Sequence, residues 1–92
     1  MEFEWNPRKD QHDQAKHGVS FDEAATVFGD PLAITIRDPD HSVDEYRILT
    51  TGYSNRQRLI IVAHTDRDDR IRIITAREVT AAERRDYAEE PE

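Results

Sequence analysis

Apolar side chains are concentrated in one stretch of the chain, residues 56–77. Within it, five consecutive apolar residues at 59–63 predict a strand that is buried on both faces. Residues 65–69 are polar and predict a turn. Arg and Ile then alternate over residues 70–73, which places the arginines on one face of a second strand and the isoleucines on the other. The two runs predict the central hairpin of an antiparallel sheet.

Two helices are predicted before this hairpin. An Asn-Pro pair at positions 6–7 suits the N-cap and first position of a helix that ends near Gly18, a left-handed cap. Ser20 and Glu23 have the spacing of a capping box, which begins a second helix with an apolar stripe. The only strongly apolar residue of the first helix is Ala15. We therefore expect the first helix to pack weakly and to leave most of its surface exposed.

The remaining elements complete an α+β domain. Alternating residues predict an edge strand at 3–5 and strands at 32–36 and 46–53. Thr80 and Glu83 form a second capping box, which begins a final helix. The predicted fold is one antiparallel β-sheet with two N-terminal helices and one C-terminal helix. A chain of 92 residues predicts a single domain, with an acidic tail at about 90–92 that is frayed.

The distribution of charge points to an anion-binding surface. The chain carries 13 Lys and Arg against 20 Asp and Glu, a net charge of −7. Residues 47–77 nevertheless hold seven Arg and three Asp, a local charge of +4. Arginines kept together in an acidic chain indicate a surface that binds an anion such as phosphate.

Other signals limit the class of protein. There is no cysteine, and the four histidines are not at metal-ligand spacing, so we predict no disulfide, no metal and no cofactor. No apolar run approaches the roughly 20 residues of a membrane span. The acidic start differs from a signal peptide, so a cytoplasmic protein without membrane contact is expected.

Three ordered groups of residues resemble the BrnT family of toxins. They are Phe3-Glu4-Trp5-Asn6-Pro7 with Lys9; Lys16-His17-Gly18-Val19-Ser20-Phe21 with Ala24; and His64-Thr65, Arg67, Arg70 to Arg77, Glu83 and Tyr87. The resemblance implies a RelE-like fold and a ribonuclease toxin of a type II toxin–antitoxin module. It also implies that the protein cleaves RNA without a metal ion and thereby inhibits translation. A BrnA-like antitoxin is expected to neutralise it, and the complex is expected to contact operator DNA only through the antitoxin. The chain departs from the family at Asn6, usually Asp, and at Asp13, usually Asn; we expect the charge of Asp13 to weaken RNA contact near Lys9 and Lys16.

Metal-free RNA cleavage needs a base, an acid and cations that stabilise charge on phosphorus. His64 is the predicted titrating group, since an unperturbed histidine titrates near pH 6.5. The predicted catalytic residues are His64, Arg67, Arg72, Arg77, Arg47 and Lys9, and the predicted RNA-binding residues are Arg47, Arg67, Arg72 and Lys9. Glu45 or Glu4 is the alternative base. We expect Arg47, His64, Arg72 and Lys9 to share one concave site.

Each of these residues also has a structural interpretation. His64 ends a buried strand, where a hydrogen-bonded structural role is common. Arg77 could pair with Glu83, and Arg70 could pair with Asp66, Asp68 or Asp69. His17 is interpreted mainly as a helix end, while Phe3 and Trp5 are interpreted as core residues.

Two functions therefore remain open at this stage. One is an active ribonuclease toxin, which the arginine-rich hairpin favours. The other is a weakly active or inactive module that represses transcription with its antitoxin, which the net charge of −7 favours. For either function we expect an antitoxin interface at an exposed sheet edge and on the first helix.

Overall fold

A computed structural model describes residues 1–39 and 46–88 of the chain, without the side chain of Ala88. The elements are β1 (Glu2–Glu4), α1 (Pro7–His17), α2 (Phe21–Thr26), a 3-10 turn (Val27–Gly29), β2 (Ile34–Arg37), β3 (Ile48–Tyr53), β4 (Leu59–Arg67), β5 (Arg70–Glu78) and α3 (Ala81–Ala88). They occur in the predicted order, and the α+β class is confirmed.

The five strands form one sheet in the order β1-β5-β4-β3-β2. Strands β2, β3, β4 and β5 pair with one another in antiparallel orientation, whereas β1 pairs with β5 in parallel. The sheet is therefore mixed, and the prediction of a wholly antiparallel sheet is wrong for β1. The intervening helices and strands are long enough to act as the crossover that a parallel pair requires.

The central hairpin is longer than predicted. Strand β4 continues through residues 65–67, and the turn contains only Asp68 and Asp69. Asp68 has φ 58°, in the left-handed region that Asp tolerates better than most residues in a tight turn. The polar composition of residues 65–69 correctly predicted a turn in this region, but residues 65–67 belong to strand β4.

The core lies between one face of the sheet and the segment from Val19 through α2 to the 3-10 turn. We call this the helix-covered face. Its buried cluster consists of Val19, Phe21, Ala24, Val27, Ile60, Val62, Ile73 and Ala76, with Phe3, Trp5, Ala25 and Phe28 packed against it. Phe3 contacts Phe28, and Trp5 meets Phe21 edge-on at 6.1 Å between ring centroids. The interpretation of Phe3 and Trp5 as core residues is therefore confirmed.

Helix α1 covers the edge of β5 that β1 leaves open. Strand β1 pairs only with residues 70–72 of β5. Further along, the Asp13 carboxylate accepts hydrogen bonds from the Ala76 N–H at 2.9 Å and from the Thr75 hydroxyl. Asp13 is the only buried residue of α1, with 2% of its surface exposed. The weak apolar packing of α1 is confirmed. The carboxylate of Asp13, whose charge was expected to weaken RNA contact, is buried against β5.

Helix α2 begins with half of the predicted capping box. The Ser20 hydroxyl accepts from the Glu23 N–H at 3.0 Å, as expected. The Glu23 carboxylate turns away instead and binds the Arg58 guanidinium and the Ser54 hydroxyl. The hydrogen bonds from Arg58 outweigh burial and lower the pKa of Glu23. Arg58 also donates to the Gly18 carbonyl at 3.0 Å, so this buried network joins both helices to the loop before β4.

Candidate functional site

The side of the sheet opposite the core is only partly covered, and we call it the open face. Arg77 pairs with Ile61, and Thr75 pairs with Ala63, on adjacent strands of this face. Arg47 directly precedes Ile48, whose partner His64 points to the helix-covered face. Because side chains alternate along a strand, Arg47 belongs to the open face. The predicted alternation of β3 is thus correct.

A β-bulge brings two distant arginines to the same face. The ladder pairs His64 with Ile73 and Ala63 with Thr75, so Ile74 has no opposite residue on β4. Simple alternation would place Arg72 and Arg77 on opposite faces, because their positions differ by five, an odd number. The extra residue shifts the alternation by one and puts both on the open face. The sequence pattern alone did not reveal this shift.

Residues from three parts of the fold surround one cavity on the open face. The cavity has a volume of about 330 Å³ and is lined by His17, Asp38, Arg47, Leu49, Ile61, Ala63, Thr75 and Arg77. Apolar side chains of β3 and β4 form its floor. Arg47, Arg77, His17 and Asp38 surround this floor. A cavity with an apolar floor and cationic walls is suited to a phosphate and an adjoining sugar.

The cavity has one wall from β5 with the end of α1, and another from β2 and β3. His17 is half-buried and is the last residue of α1, directly before Gly18 with φ 73°. On the other wall the Asp38 N–H donates to the Arg47 carbonyl at 2.9 Å, which continues the β2–β3 pairing. Asp38 is buried, with 6% of its surface exposed. The backbone thus fixes both walls of the cavity.

Arg77 is held in place by α3. Its guanidinium donates two hydrogen bonds to the Glu83 carboxylate, at 2.8 and 2.9 Å. Glu83 also accepts from the Thr80 N–H at 2.8 Å while its own N–H donates to the Thr80 hydroxyl, so the second capping box is confirmed. The hydrogen bonds from Arg77 lower the pKa of Glu83 to about 2, and those to Glu83 raise the pKa of Arg77. Arg77 is therefore held in one position as a cation, and its pairing with Glu83 agrees with the structural interpretation given from the sequence.

A second group of arginines surrounds Glu4. Its carboxylate lies 3.3 Å from Arg72, 3.6 Å from Arg70 and 3.7 Å from Arg67. Arg70 also lies 3.4 Å from Glu2, so it pairs with β1 and not with the turn aspartates proposed from the sequence. Such exposed pairs contribute little to stability, but they hold three guanidinium groups together on the open face. Glu4 is thereby occupied as an ion-pair partner.

His64 does not belong to this surface. It lies on the helix-covered face with 4% of its surface exposed, 4.8 Å from the Phe28 ring centroid, and its Nε2 is 2.8 Å from the Thr50 hydroxyl. Burial lowers the pKa of His64, although the Asp66 carboxylate opposes the shift. The expectation that His64 shares a site with Arg47 and Arg72 is wrong. Ala63 faces the open side, so alternation turns His64 inward.

Two other predicted positions lie away from the cavity. Lys9 stands on α1, half-exposed, with its Nζ 3.8 Å from the Asp13 carboxylate. It does not line the cavity beside Arg77. The alternative base Glu45 lies outside the described residues.

The structure adds His17 and Asp38 to the candidate residues. His17 was interpreted as a helix end, although it falls within one of the residue groups that resemble the BrnT family. Asp38 belongs to a stretch rich in turn-forming residues, which gave no sign of a buried carboxylate. Only the folded arrangement brings these two residues beside Arg47 and Arg77.

Comparison with known proteins identifies the family. Residues 5–83 match the family described as "Ribonuclease toxin, BrnT, of type II toxin-antitoxin system". The chain belongs to the BrnT family. The matched range contains every residue that lines the cavity.

A solved BrnT structure supports the fold. The 1.1 Å crystal structure of the Brucella abortus ribonuclease toxin BrnT superposes with a TM-score of 0.68 and 22% identity, covering 87% of this chain and 97% of that chain. No curated protein matches the chain. Across residues 1–39 and 46–88, no helix is long and apolar enough to cross a membrane. The same residues hold no group of three His, Asp or Glu side chains arranged to bind a metal ion.

Proposed function

We propose that this BrnT protein is an endoribonuclease toxin that cleaves RNA without a metal ion and thereby inhibits translation. The observation that carries the proposal is that Arg47, Arg77, His17 and Asp38 line the same cavity. Two planar cations beside a histidine and a carboxylate provide the groups that metal-free phosphodiester cleavage requires.

In the proposed reaction a base takes the proton of the 2′-hydroxyl, the 2′-oxygen attacks the adjacent phosphorus, and the bond to the 5′-oxygen breaks as an acid gives that oxygen a proton. The products are a 2′,3′-cyclic phosphate and a free 5′-hydroxyl. Arg47 and Arg77 stabilise the charge that develops on the phosphoryl oxygens. His17 is the candidate acid that protonates the departing 5′-oxygen, a role that histidine side chains often have in general acid–base catalysis. Asp38 is the candidate base for the 2′-hydroxyl.

The second group of arginines suits a different role in this proposal. Arg67 and Arg72 lie on the same face as the cavity but do not line it. They would contact phosphates of the flanking RNA, and Lys9 would contribute a further charge from α1. The three residues therefore contribute to RNA binding more than to the bond-breaking step.

The proposed partner is a BrnA-like antitoxin. Membership of a type II toxin family supports a protein antitoxin. The antitoxin would neutralise the toxin by binding it, and the complex would contact operator DNA only through the antitoxin.

A second candidate function is a co-repressor with weak or no ribonuclease activity. The pairing of arginines with acids favours it: Glu83 holds Arg77, and Glu4 lies against Arg67, Arg70 and Arg72. The net charge of −7 would also oppose the approach of RNA. In this alternative the chain acts only as the antitoxin-binding half of a repressor.

One experiment separates the two functions. The purified chain is incubated with free RNA in EDTA and with ribosome-bound RNA in Mg²⁺, and it is compared with the variants Arg77→Ala and Glu83→Gln. Both variants lose the ion pair, but only Arg77→Ala removes the guanidinium, so the rates are corrected for the folded fraction of each variant. We expect cleavage by the wild type and by Glu83→Gln, and a loss of about 100- to 1000-fold in Arg77→Ala. Wild-type protein that leaves both substrates intact would favour the co-repressor, and cleavage abolished by EDTA would refute the metal-free reaction.

A further inference from the structure

Exposed large apolar side chains cluster at one end of the sheet. In the part of the chain that the structure describes, they are Met1, Leu32, Ile36, Tyr46 and Tyr53, and all except Met1 lie on or beside β2 and β3. Ile36 has 54% of its surface exposed and Leu32 has 77%. Strand β2 ends the strand order, so no other described strand pairs with its outer edge. An apolar cluster at a sheet edge is typical of a surface that binds another chain.

Beside this edge an apolar groove runs beneath α3. The groove has a volume of about 270 Å³; its floor includes Ile34, Ile36 and Ile61, and α3 contributes Glu83, Asp86 and Tyr87. Helix α3 is attached beside the groove by the Glu83–Arg77 ion pair, by a hydrogen bond from the Tyr87 hydroxyl to the Leu32 carbonyl at 3.1 Å, and by an edge-on contact between the Tyr87 and Tyr53 rings. Because Ile36 on the floor is more than half exposed, the groove is accessible from the β2 side.

The charge around the groove selects the kind of partner. Asp86 and Glu83 line it; Glu83 also pairs with Arg77, so Asp86 is the acid of the groove that remains for a cationic partner group. The chain as a whole carries −7. An apolar floor with an acidic rim matches a segment that has aliphatic side chains on one side and Lys or Arg on the other.

We propose that the antitoxin places a basic amphipathic segment in this groove, with aliphatic side chains on Ile34 and Ile36 and cationic ones toward Asp86. This proposal rests on the proposed antitoxin partnership. The groove shares Ile61 with the arginine cavity, and its Glu83 holds Arg77. A segment bound there lies directly beside the cavity, so binding and neutralisation would involve the same surface.

Helix α1 offers a poorer surface than the sequence suggested. Its outward side chains are polar or charged except for Ala15, and its buried Asp13 already closes the edge of β5. The open edge of the sheet is at β2, on the opposite side. The expected interface at a sheet edge therefore moves to the groove, and α1 becomes a control surface.

The test measures the affinity of the chain for the protein encoded by the adjacent reading frame, by calorimetry. Ile36→Asp places a charge on the groove floor, and Ala15→Asp places the same charge on exposed α1. We expect Ile36→Asp to weaken binding at least about tenfold and Ala15→Asp to leave it within about twofold. Asp86→Lys should weaken binding most at low salt, and it provides a second groove variant if Ile36→Asp melts at a much lower temperature.

The outcomes distinguish this proposal from the function it rests on. If the wild type binds and neither groove variant weakens the complex, or only Ala15→Asp does, the groove is not the docking site. If the wild type does not bind the adjacent protein, the antitoxin partnership fails and the groove proposal fails with it.

Discussion

The two faces of the sheet use the same strands for different purposes. On the helix-covered face, Ile60, Val62 and Ile73 are almost fully buried in the apolar cluster that includes residues of α2. On the open face, the alternate positions of the same strands carry Arg72 and Arg77. The fold thus requires the apolar residues of one face, while the other face remains available for cations. Substitutions on the two faces should therefore separate stability from activity.

The largest effect on stability is expected at Phe21, on the helix-covered face. Phe21→Ala removes a ring that is fully buried between α2 and the sheet, which should lower the free energy of unfolding by about 3–5 kcal/mol. Leu49→Ala on the open face removes a half-buried side chain and should cost less than about 2 kcal/mol. Urea unfolding measures both. Equal losses would contradict the contrast between the faces.

A smaller loss of stability is expected at Asp13, where α1 covers the edge of β5. Asp13→Ala deprives the Ala76 N–H of its side-chain acceptor and should cost about 1–3 kcal/mol. Asp13→Asn keeps an oxygen acceptor and should cost less than about 1 kcal/mol. If the two variants unfold at the same urea concentration, the hydrogen bond to Ala76 is not what holds α1 in place.

The smallest effect concerns the pH dependence of stability. The folded state lowers the pKa of His64 below its usual value, so the unfolded state takes up a proton first as the pH falls. Stability from this group is therefore complete above about pH 6.5 and declines below it. His64→Gln can retain a bond to Thr50 and does not titrate, so its stability should fall less than that of the wild type between pH 7.5 and 5.5. If the stability of the wild type and of His64→Gln declines equally over this pH range, His64 is not held neutral in the folded state.

Much of the fold could be predicted from local patterns. The alternation of Arg and Ile in β5, the apolar run of β4 and the capping signals at Ser20 and Thr80 each depend on near neighbours in sequence. The parallel pairing of β1 could not be predicted in this way, because its partner lies 68 residues away in sequence. The burial of Asp13 depends likewise on Ala76, which no local pattern connects to α1.

The candidate site was predicted only in part. Residue type identified Arg47 and Arg77, since arginine suits phosphate at any position. The bulge at Ile74 decides that Arg72 and Arg77 share a face, and a bulge leaves no clear signal in a sequence of apolar residues. His64 was preferred to His17 because His17 was interpreted mainly as a helix end, but the apolar strand that contains His64 also buries it.

The most direct test compares RNA cleavage by His17→Gln and His64→Gln, under single-turnover conditions and corrected for the folded fraction. Each variant replaces one histidine, on the open face and the helix-covered face respectively. A site on the open face requires His17→Gln to lose at least about 100-fold in rate while His64→Gln stays within a few-fold of the wild type. The reverse result, with cleavage retained in His17→Gln and lost in folded His64→Gln, would contradict the assignment of the site to the open face.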